Sequence, residues 1–339
     1  MSLPESPFIF VVCQTGVESA LKQEFVRRYP HFKPSYARPG YITFKNTGST
    51  KLTLDFELKS VLAHEYGLSI GKAQGVTQDD RLTAVRAFQV EYQADVVSVY
   101  PRARDEETLA ADDPVPAIKQ ALQGADQLQD GQLVLDVVIV EQNEWWIGLH
   151  KQTKAHRPWP GGIYPGALPP EAPSRAYLKL EEGLEWSRLP VKSGELAIEF
   201  GASPGGASYA LLERGLHVLG VDPAKMADVV LNHPKFKHLH AQAGQLTADD
   251  APGVEWIFSD MNITPDDVLK ILRKLVPQWK ETLLGGLVTL KLKSWDALAD
   301  LEKNLEELRR LGFVEARAGH LHSNRQEVCV ALLTGLAAR

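Results

Sequence analysis

Short apolar runs separated by amphipathic stretches recur through the second half of the chain. LAIEF (Leu196–Phe200) predicts a first strand, the turn EFGASPGG follows, and SYALLERG reads as a helix that Gly215 ends. HVLGVD, FKHLHA and WIFSDM predict strands two to four, with a helix over 266–284. GLVTLKLK predicts the fifth strand, 296–311 an amphipathic helix, and GFVEARAG and EVCVALLTG the last two strands. Strands alternating with helices imply a mostly parallel seven-stranded sheet with helices on both faces. Ligands of such sheets bind at the carboxyl ends of the strands. Asp222, Asp260 and Lys291 fall at or near those ends.

The first half is patterned differently. FIFVVC, ESALKQEFVRRY and YITFKN read strand, helix, strand; LKSVLAHEYGLSIGKA predicts an amphipathic helix and AFQVEYQ another strand. This order is compatible with a ferredoxin-like α+β module over 1–85. From 86 to 165 a helix is predicted over 116–124, and QLVLDVVIVEQ with EWWIGLHKQ predicts a hairpin turning at Glu141-Gln142-Asn143-Glu144. The α/β domain then occupies 166–339.

The glycine turn narrows the chemistry. Gly201, Gly205 and Gly206, with Ala202, Ser203 and Pro204 between them, join a strand to a helix, where glycines let a backbone approach a ligand closely. The spacing is not G-x-G-x-x-G, so the dinucleotide fingerprint is absent. Asp222 lies about twenty residues past the first glycine, where such folds place a carboxylate on ribose hydroxyls. An adenosine-bearing cofactor is expected.

Four further residues stand out: Lys179 in SRAYLKLEE, Asp260 in WIFSDM, Lys291 in GLVTLKLK and Glu327 in NRQEVCVALL. Taken singly, each has a plainer reading. Lys179 can pair with Glu182 on a helix surface, Asp260 can cap the next helix, Lys291 can snorkel from an edge strand, and Glu327 can face solvent. Together they suit chemistry on a sugar hydroxyl, which must be oriented and deprotonated. A lysine has a pKa of about 10.4. A neighbouring lysine and partial burial are expected to lower it, making Lys291 the candidate base beside the cation Lys179. Asp260 and Glu327 would hold the ammonium groups. Two lysines oppose the charge balance of a divalent-cation site, so no metal is expected.

EAPSRAYLKLEE, EFGASPGG, SDM, TLKLK and NRQEV resemble the FtsJ-type ribose 2'-O-methyltransferases, strongly from about residue 169 to 333 and more weakly before. The resemblance implies a Rossmann-like class I methyltransferase domain using S-adenosylmethionine, with Lys179, Asp260, Lys291 and Glu327 as its Lys-Asp-Lys-Glu tetrad. Within the family the likeness is greatest to enzymes that methylate a cytidine ribose of large-subunit (23S) ribosomal RNA. It further implies a ferredoxin-like module at 1–85 and a THUMP-like RNA-binding module at 86–165. Cofactor contacts are expected from Glu199, the turn 201–206, Asp222, Asp260 and Gln242. Three positions depart from the family pattern: Glu199 stands where Asp is usual, Ala243 where an Asp contacts adenine, and Ala207 where an aromatic is common.

Charge then bears on the partner. The net charge is -6, divided as +2 over 1–85, -5 over 86–165 and -3 over 166–339. No part is broadly basic, so RNA binding must come from local patches. The candidate is the segment from Trp145 to Arg175, which interleaves Trp145, Trp146 and Trp159 with Lys151, Lys154 and Arg157. Rings that stack and cations that seek phosphate suit splayed or single-stranded RNA. A hydrophobic hinge with a basic rim is the other reading, and its prolines make it stiff. Cys13 and Cys329 lie in apolar runs without metal-ligand spacing. FIFVVC is too short to span a bilayer, and a cytoplasmic location is expected. Two other functions stay open, a base methyltransferase and a silent RNA-binding factor, although SDMNITP lacks the aromatic after proline usual in the former.

Overall fold

The computed structural model describes residues 5–103 and 113–337. The chain divides into two units, Met1–Pro165 and Gly166–Arg339.

The first unit runs β1 (Phe8–Val12), α1 (Glu18–Arg28), β2 (Phe32–Arg38), β3 (Tyr41–Asn46), β4 (Glu65–Ala73), α2 (Gln78–Tyr92), β5 (Val96–Pro101), α3 (Val115–Leu122), β6 (Leu133–Glu141) and β7 (Glu144–Lys151). Its seven strands form one sheet in the order β2-β3-β1-β4-β7-β6-β5. Among the described residues, only the β5–β6 pair of this sheet is parallel. The sheet runs across position 85, so the two expected N-terminal modules share it.

Two predicted elements exchange identity. The helix expected over 58–73 is in part β4, a central strand paired with β1 and β7. Gly67 belongs there because a Cβ would come within 2.8 Å of the Leu149 carbonyl and the Phe10 ring. Pairing on both edges overrides local helical spacing. AFQVEYQ, expected as a strand, is the end of α2. Thr77 accepts from the Asp80 amide at 3.1 Å and Asp80 accepts from the Thr77 amide at 2.9 Å, a capping box that launches a helix through this segment. Val90, within this segment, is 77% exposed. β2 escaped prediction because FKPSYAR is mostly polar; it is an edge strand with an irregular register at Pro34.

Strands β4, β6 and β7 contribute Glu65, Asp136 and His150 to a buried polar network. His150 lies 2.6 Å from Asp136 and 2.9 Å from Gln152, while His156 lies 2.7 Å from Glu65. The two imidazoles stack at 4.4 Å with an 18° interplanar angle. Glu65, His150 and His156 gather ligand atoms within 4.8 Å, but near-parallel rings do not aim their in-plane lone pairs at one ion. Burial opposes the charged form of His150, yet the Asp136 and Glu65 charges outweigh it and raise its pKa to about 9. A raised folded-state pKa adds stability that is complete below the ordinary value near 6.5 and lost as pH rises through 9. Thermal melts from pH 6.5 to 9.5 should show a falling midpoint. His150→Gln should melt lower with a flatter dependence.

The second unit contains α4 (Ala176–Ser187), β8 (Leu196–Phe200), α5 (Gly206–Glu213), β9 (His217–Val221), α6 (Asp228–Leu231), β10 (Phe236–Leu239), β11 (Trp256–Ser259), α7 (Pro265–Leu275), β12 (Gly285–Lys291), α8 (Leu301–Arg310), β13 (Phe313–Gly319) and β14 (Glu327–Thr334). Its strand order is β10-β9-β8-β11-β12-β14-β13. The five strands β10 to β12 are parallel neighbours, and β14 inserts antiparallel between β12 and β13. This is a Rossmann-like fold with a mixed sheet.

α7 shows how sequence builds the layer. Thr264 caps it, Pro265 opens it, acids occupy its first turn and Arg273 and Lys274 its last, complementing the helix dipole. Val268, Leu269, Leu272 and Leu275 are buried. The helix stops short of the expected 284 and tightens into a 3-10 turn, Val276–Trp279, because Pro277 has no amide to continue the ladder. Trp256, Phe258, Leu211 and Leu287 centre the core of this unit. Burying such side chains contributes roughly 1.5–3 kcal/mol each. Among the described residues no helix is long and apolar enough to cross a membrane.

Candidate active site

Lys291 ends β12 and Glu327 begins β14, and the antiparallel register sets them directly opposite each other. Asp260 follows β11, with its amide donating to the Phe200 carbonyl at 3.3 Å. Lys179 lies in the first turns of α4. These four elements place four side chains in one closed ring. The Lys291 ammonium lies 2.7 Å from Asp260 Oδ1 and 2.5 Å from Glu327 Oε2. The Lys179 ammonium lies 3.2 Å from Asp260 Oδ2 and also donates to Glu327 Oε1. Each carboxylate bridges both lysines, and the charges alternate and sum to zero.

The ring alters the expected protonation of Lys291. Burial acts to lower its pKa, but the hydrogen bonds and charges of Asp260 and Glu327 prevail and hold it above the ordinary lysine value. The expected lowering by Lys179 is therefore overturned, because two carboxylates lie in contact with the ammonium. Glu327 responds conversely: burial would raise its pKa, and the two lysines hold it below the usual carboxylate range.

The plainer single-residue readings do not describe this geometry. Glu327 is 5% exposed. The cap of the helix after β11 is Thr264, not Asp260. Glu182 is fully buried rather than a surface partner of Lys179, and it accepts from the amides of His322 at 2.6 Å and Ser323 at 2.8 Å. Three residues before Glu327, buried Asn324 accepts from the Leu321 amide and donates to Glu327 Oε1 at 3.3 Å. Glu182 and Asn324 thus pin the turn that delivers Glu327. Spacing alone marked neither, although both lie within stretches that carry the family likeness.

Beside the ring is a cavity of about 690 Å³ lined by Gly201, Val221, Asp222, Gln242, Met261 and residues of α7. Its size falls in the range of roughly 300–1,000 Å³ that holds a small-molecule ligand. Gly201, at φ +75°, passes Met261 so closely that a Cβ would meet it at 3.0 Å. Asp222 steadies the loop, accepting from the Ser203 amide at 3.1 Å and the Ala224 amide at 2.7 Å. Ser203 Oγ donates to the Lys225 carbonyl, and the Pro204 carbonyl accepts from Ala227. Ala202 is buried, and Gly205, at φ +115°, precedes α5. Gly206 serves packing: a Cβ there would come within 2.3 Å of Ser174 Oγ. Gln242 is exposed at the cavity, and its backbone amide donates to Gln245 Oε1 at 3.2 Å in the short turn Ala243–Gln245. Asn262, Asp267, Lys270 and Lys274 also line the cavity and were not singled out by sequence. The lining offers a ligand of adenosine size the Asp222 carboxylate and the backbone of the glycine turn.

Glu199 lies deeper. It is 3% exposed, takes a hydrogen bond from Ser208, and faces a chamber of about 40 Å³ shared with Lys179, Asp260, Thr289 and Asn324.

The expected RNA-contact residues separate. Trp145 is 1% exposed in the core, Arg157 is 4% exposed and bonded to the Gly162 carbonyl, and Trp159 is 5% exposed. Burial leaves these three no surface for a base or phosphate, which corrects their assignment. Trp146 faces the opposite side of β7 from Trp145, is half-buried against Tyr36, and has the Lys72 ammonium 4.2 Å over its ring. Lys151, Lys154 and Arg175 are exposed.

Residues 172–314 match a family described as FtsJ-like methyltransferase. Curated relatives bear the description ribosomal RNA large subunit methyltransferase M. That of Actinobacillus succinogenes is 28% identical over 225 residues, 64% of this chain and 62% of the relative. That of Alkalilimnicola ehrlichii is 32% identical over 186 residues, 51% and 49% of the two chains. That of Xanthomonas oryzae is 26% identical over 344 residues, 95% and 98% of the two chains. Over the first of these matches the chain spans about six-tenths of the relative's length.

Proposed function

We propose that the chain, which matches an FtsJ-like methyltransferase family over residues 172–314, methylates a ribose 2'-hydroxyl of RNA, with a cytidine of large-subunit ribosomal RNA as the substrate. The observation that supports it is the closed ring of Lys179, Asp260, Lys291 and Glu327 beside a cavity of cofactor size. When bound, S-adenosylmethionine supplies a methyl group already activated on a sulfonium. The residues then have one task, to orient the hydroxyl in line and receive its proton as its oxygen forms the new bond to carbon. The carbon–sulfur bond breaks and its electron pair stays on sulfur.

Lys291 is the proposed acceptor of that proton. As an ammonium it must first release its own proton to solvent, after which Asp260 and Glu327 hold the neutral amine in place. Lys179 keeps both carboxylates occupied and adds a fixed positive charge near the developing alkoxide. Gly201, the loop to Gly206, and Asp222 are proposed to cradle the cofactor.

The first unit is the proposed RNA-binding part, its ferredoxin-like and THUMP-like stretches joined in one sheet, acting in the cytoplasm. Trp146, Lys151 and Lys154 remain its candidate contacts, and Arg175 remains one in the second unit, since all retain exposed surface. Neutralising Lys151 and Lys154 together should reduce the slope of log affinity against log salt by about 1.4 on single-stranded RNA, at about 0.7 per phosphate. An unaltered slope would assign this segment a hinge role only.

The decisive measurement is mass-spectrometric mapping of ribose methylation in ribosomal RNA from cells with and without the gene. Loss of one 2'-O-methylcytidine in large-subunit RNA is expected. Loss of a base methyl group, or of none, would overturn the reading.

A further inference from the structure

Glu199 is a buried acid without a cation. Its hydrogen-bond partner is the Ser208 hydroxyl on α5, and among the described residues no lysine, arginine or histidine pairs with it. The nearest ammonium in its chamber, on Lys179, is already bound to Asp260 and Glu327. The charged groups that face it include Asp260 after β11 and Asp222 after β9, both negative. A carboxylate in such a place lacks water and a counter-charge, so the neutral acid is favoured. Burial, with repulsion from Asp260 and Asp222, raises its pKa to about 8.

The reaction site would bring one new cation to this corner. On the functional reading above, the methyl donor carries a sulfonium and the product a neutral sulfide, while the rest of the two ligands is the same. We propose that Glu199 is a specificity-determining residue that tells donor from spent product by charge, ionising when the sulfonium arrives and regaining a proton when that charge is gone. Its place supports this: one residue before the end of β8, Glu199 opens onto the chamber of Lys179 and Asp260, while Gly201 two residues on lines the cofactor cavity. The larger cavity takes the cofactor, and Glu199 answers to its charge. At neutral pH the donor then binds with release of about one proton, and the product with none.

Linkage gives the sign. A group that must lose a proton on binding makes affinity rise with pH until its free-state pKa is passed. Calorimetric titration of S-adenosylmethionine and S-adenosylhomocysteine into the full chain from pH 6 to 9 tests this directly. Donor affinity should rise about tenfold or more between pH 6 and 8 and level off above, as a linked ionisation requires. Product affinity should stay within about twofold relative to that change. Glu199→Gln should abolish the difference in pH dependence. Glu199→Asp, which keeps the carboxyl, should preserve it and controls for misfolding. Parallel pH dependences for the two ligands in the wild type, or a persistent difference in Glu199→Gln, would overturn the inference. Failure of both ligands to bind at any pH would instead remove the functional reading, and this inference with it.

Discussion

Lys291→Ala is expected to depress methyl transfer by about 10²–10⁴-fold, the usual scale for loss of a positioned proton acceptor, while cofactor affinity changes only a few-fold. The separation follows from position. Lys291 contacts Asp260 and Glu327, and it is absent from the lining of the cofactor cavity. Truncation leaves Lys179 to balance two carboxylates, so some disturbance of the ring is unavoidable, but the glycine turn and Asp222 are untouched. Single-turnover rates with saturating RNA and separate cofactor titrations would measure the two effects independently.

The wild-type pH profile adds a test that truncation cannot. The carboxylates hold Lys291 above the ordinary lysine value. Its neutral fraction therefore grows about tenfold per pH unit through the neutral range, and a chemical step that needs the free amine should rise in parallel between pH 7 and 9. A flat profile would give Lys291 another duty, that of a permanent cation steadying the alkoxide. Retained turnover in Lys291→Ala would remove it from the chemistry altogether.

Much of this site could be read from residue types alone, since a lysine ending an apolar strand is costly without partners. The alternation of strands and helices after residue 196 likewise exposed the frame that assembles it. What stayed hidden depended on long-range pairing. Nothing local in EVCVALLTG says that it inserts antiparallel beside GLVTLKLK, and that register is what sets Glu327 opposite Lys291. The direction of the Lys291 shift is hidden for the same reason: sequence shows a neighbouring lysine, whereas contact distances make the carboxylates dominate. Trp145 and Trp146 must point to opposite faces of a strand, but adjacency does not reveal which face is core. In the first unit, a helical spacing over 58–73 yielded to pairing on both strand edges.

Glu182→Ala should lower kcat about 10–100-fold with cofactor affinity unchanged, since a misplacement near 1 Å can cost on the order of 10² in rate. The Glu182 carboxylate holds the turn at 322–324, and its effect is expected to pass through that turn. It takes the half-buried amides of His322 and Ser323, and removing it leaves those donors without their partner. The turn is expected to relax toward water, drawing away Asn324 and loosening Glu327, whose carboxylate joins the two lysines. Glu182→Gln keeps one acceptor oxygen and should recover part of the rate. A general loss of folding would instead lower cofactor affinity and the melting midpoint together, without rescue by Gln. If Glu182→Ala turns over at the wild-type rate, the turn is held by other contacts and Glu327 does not depend on this acid.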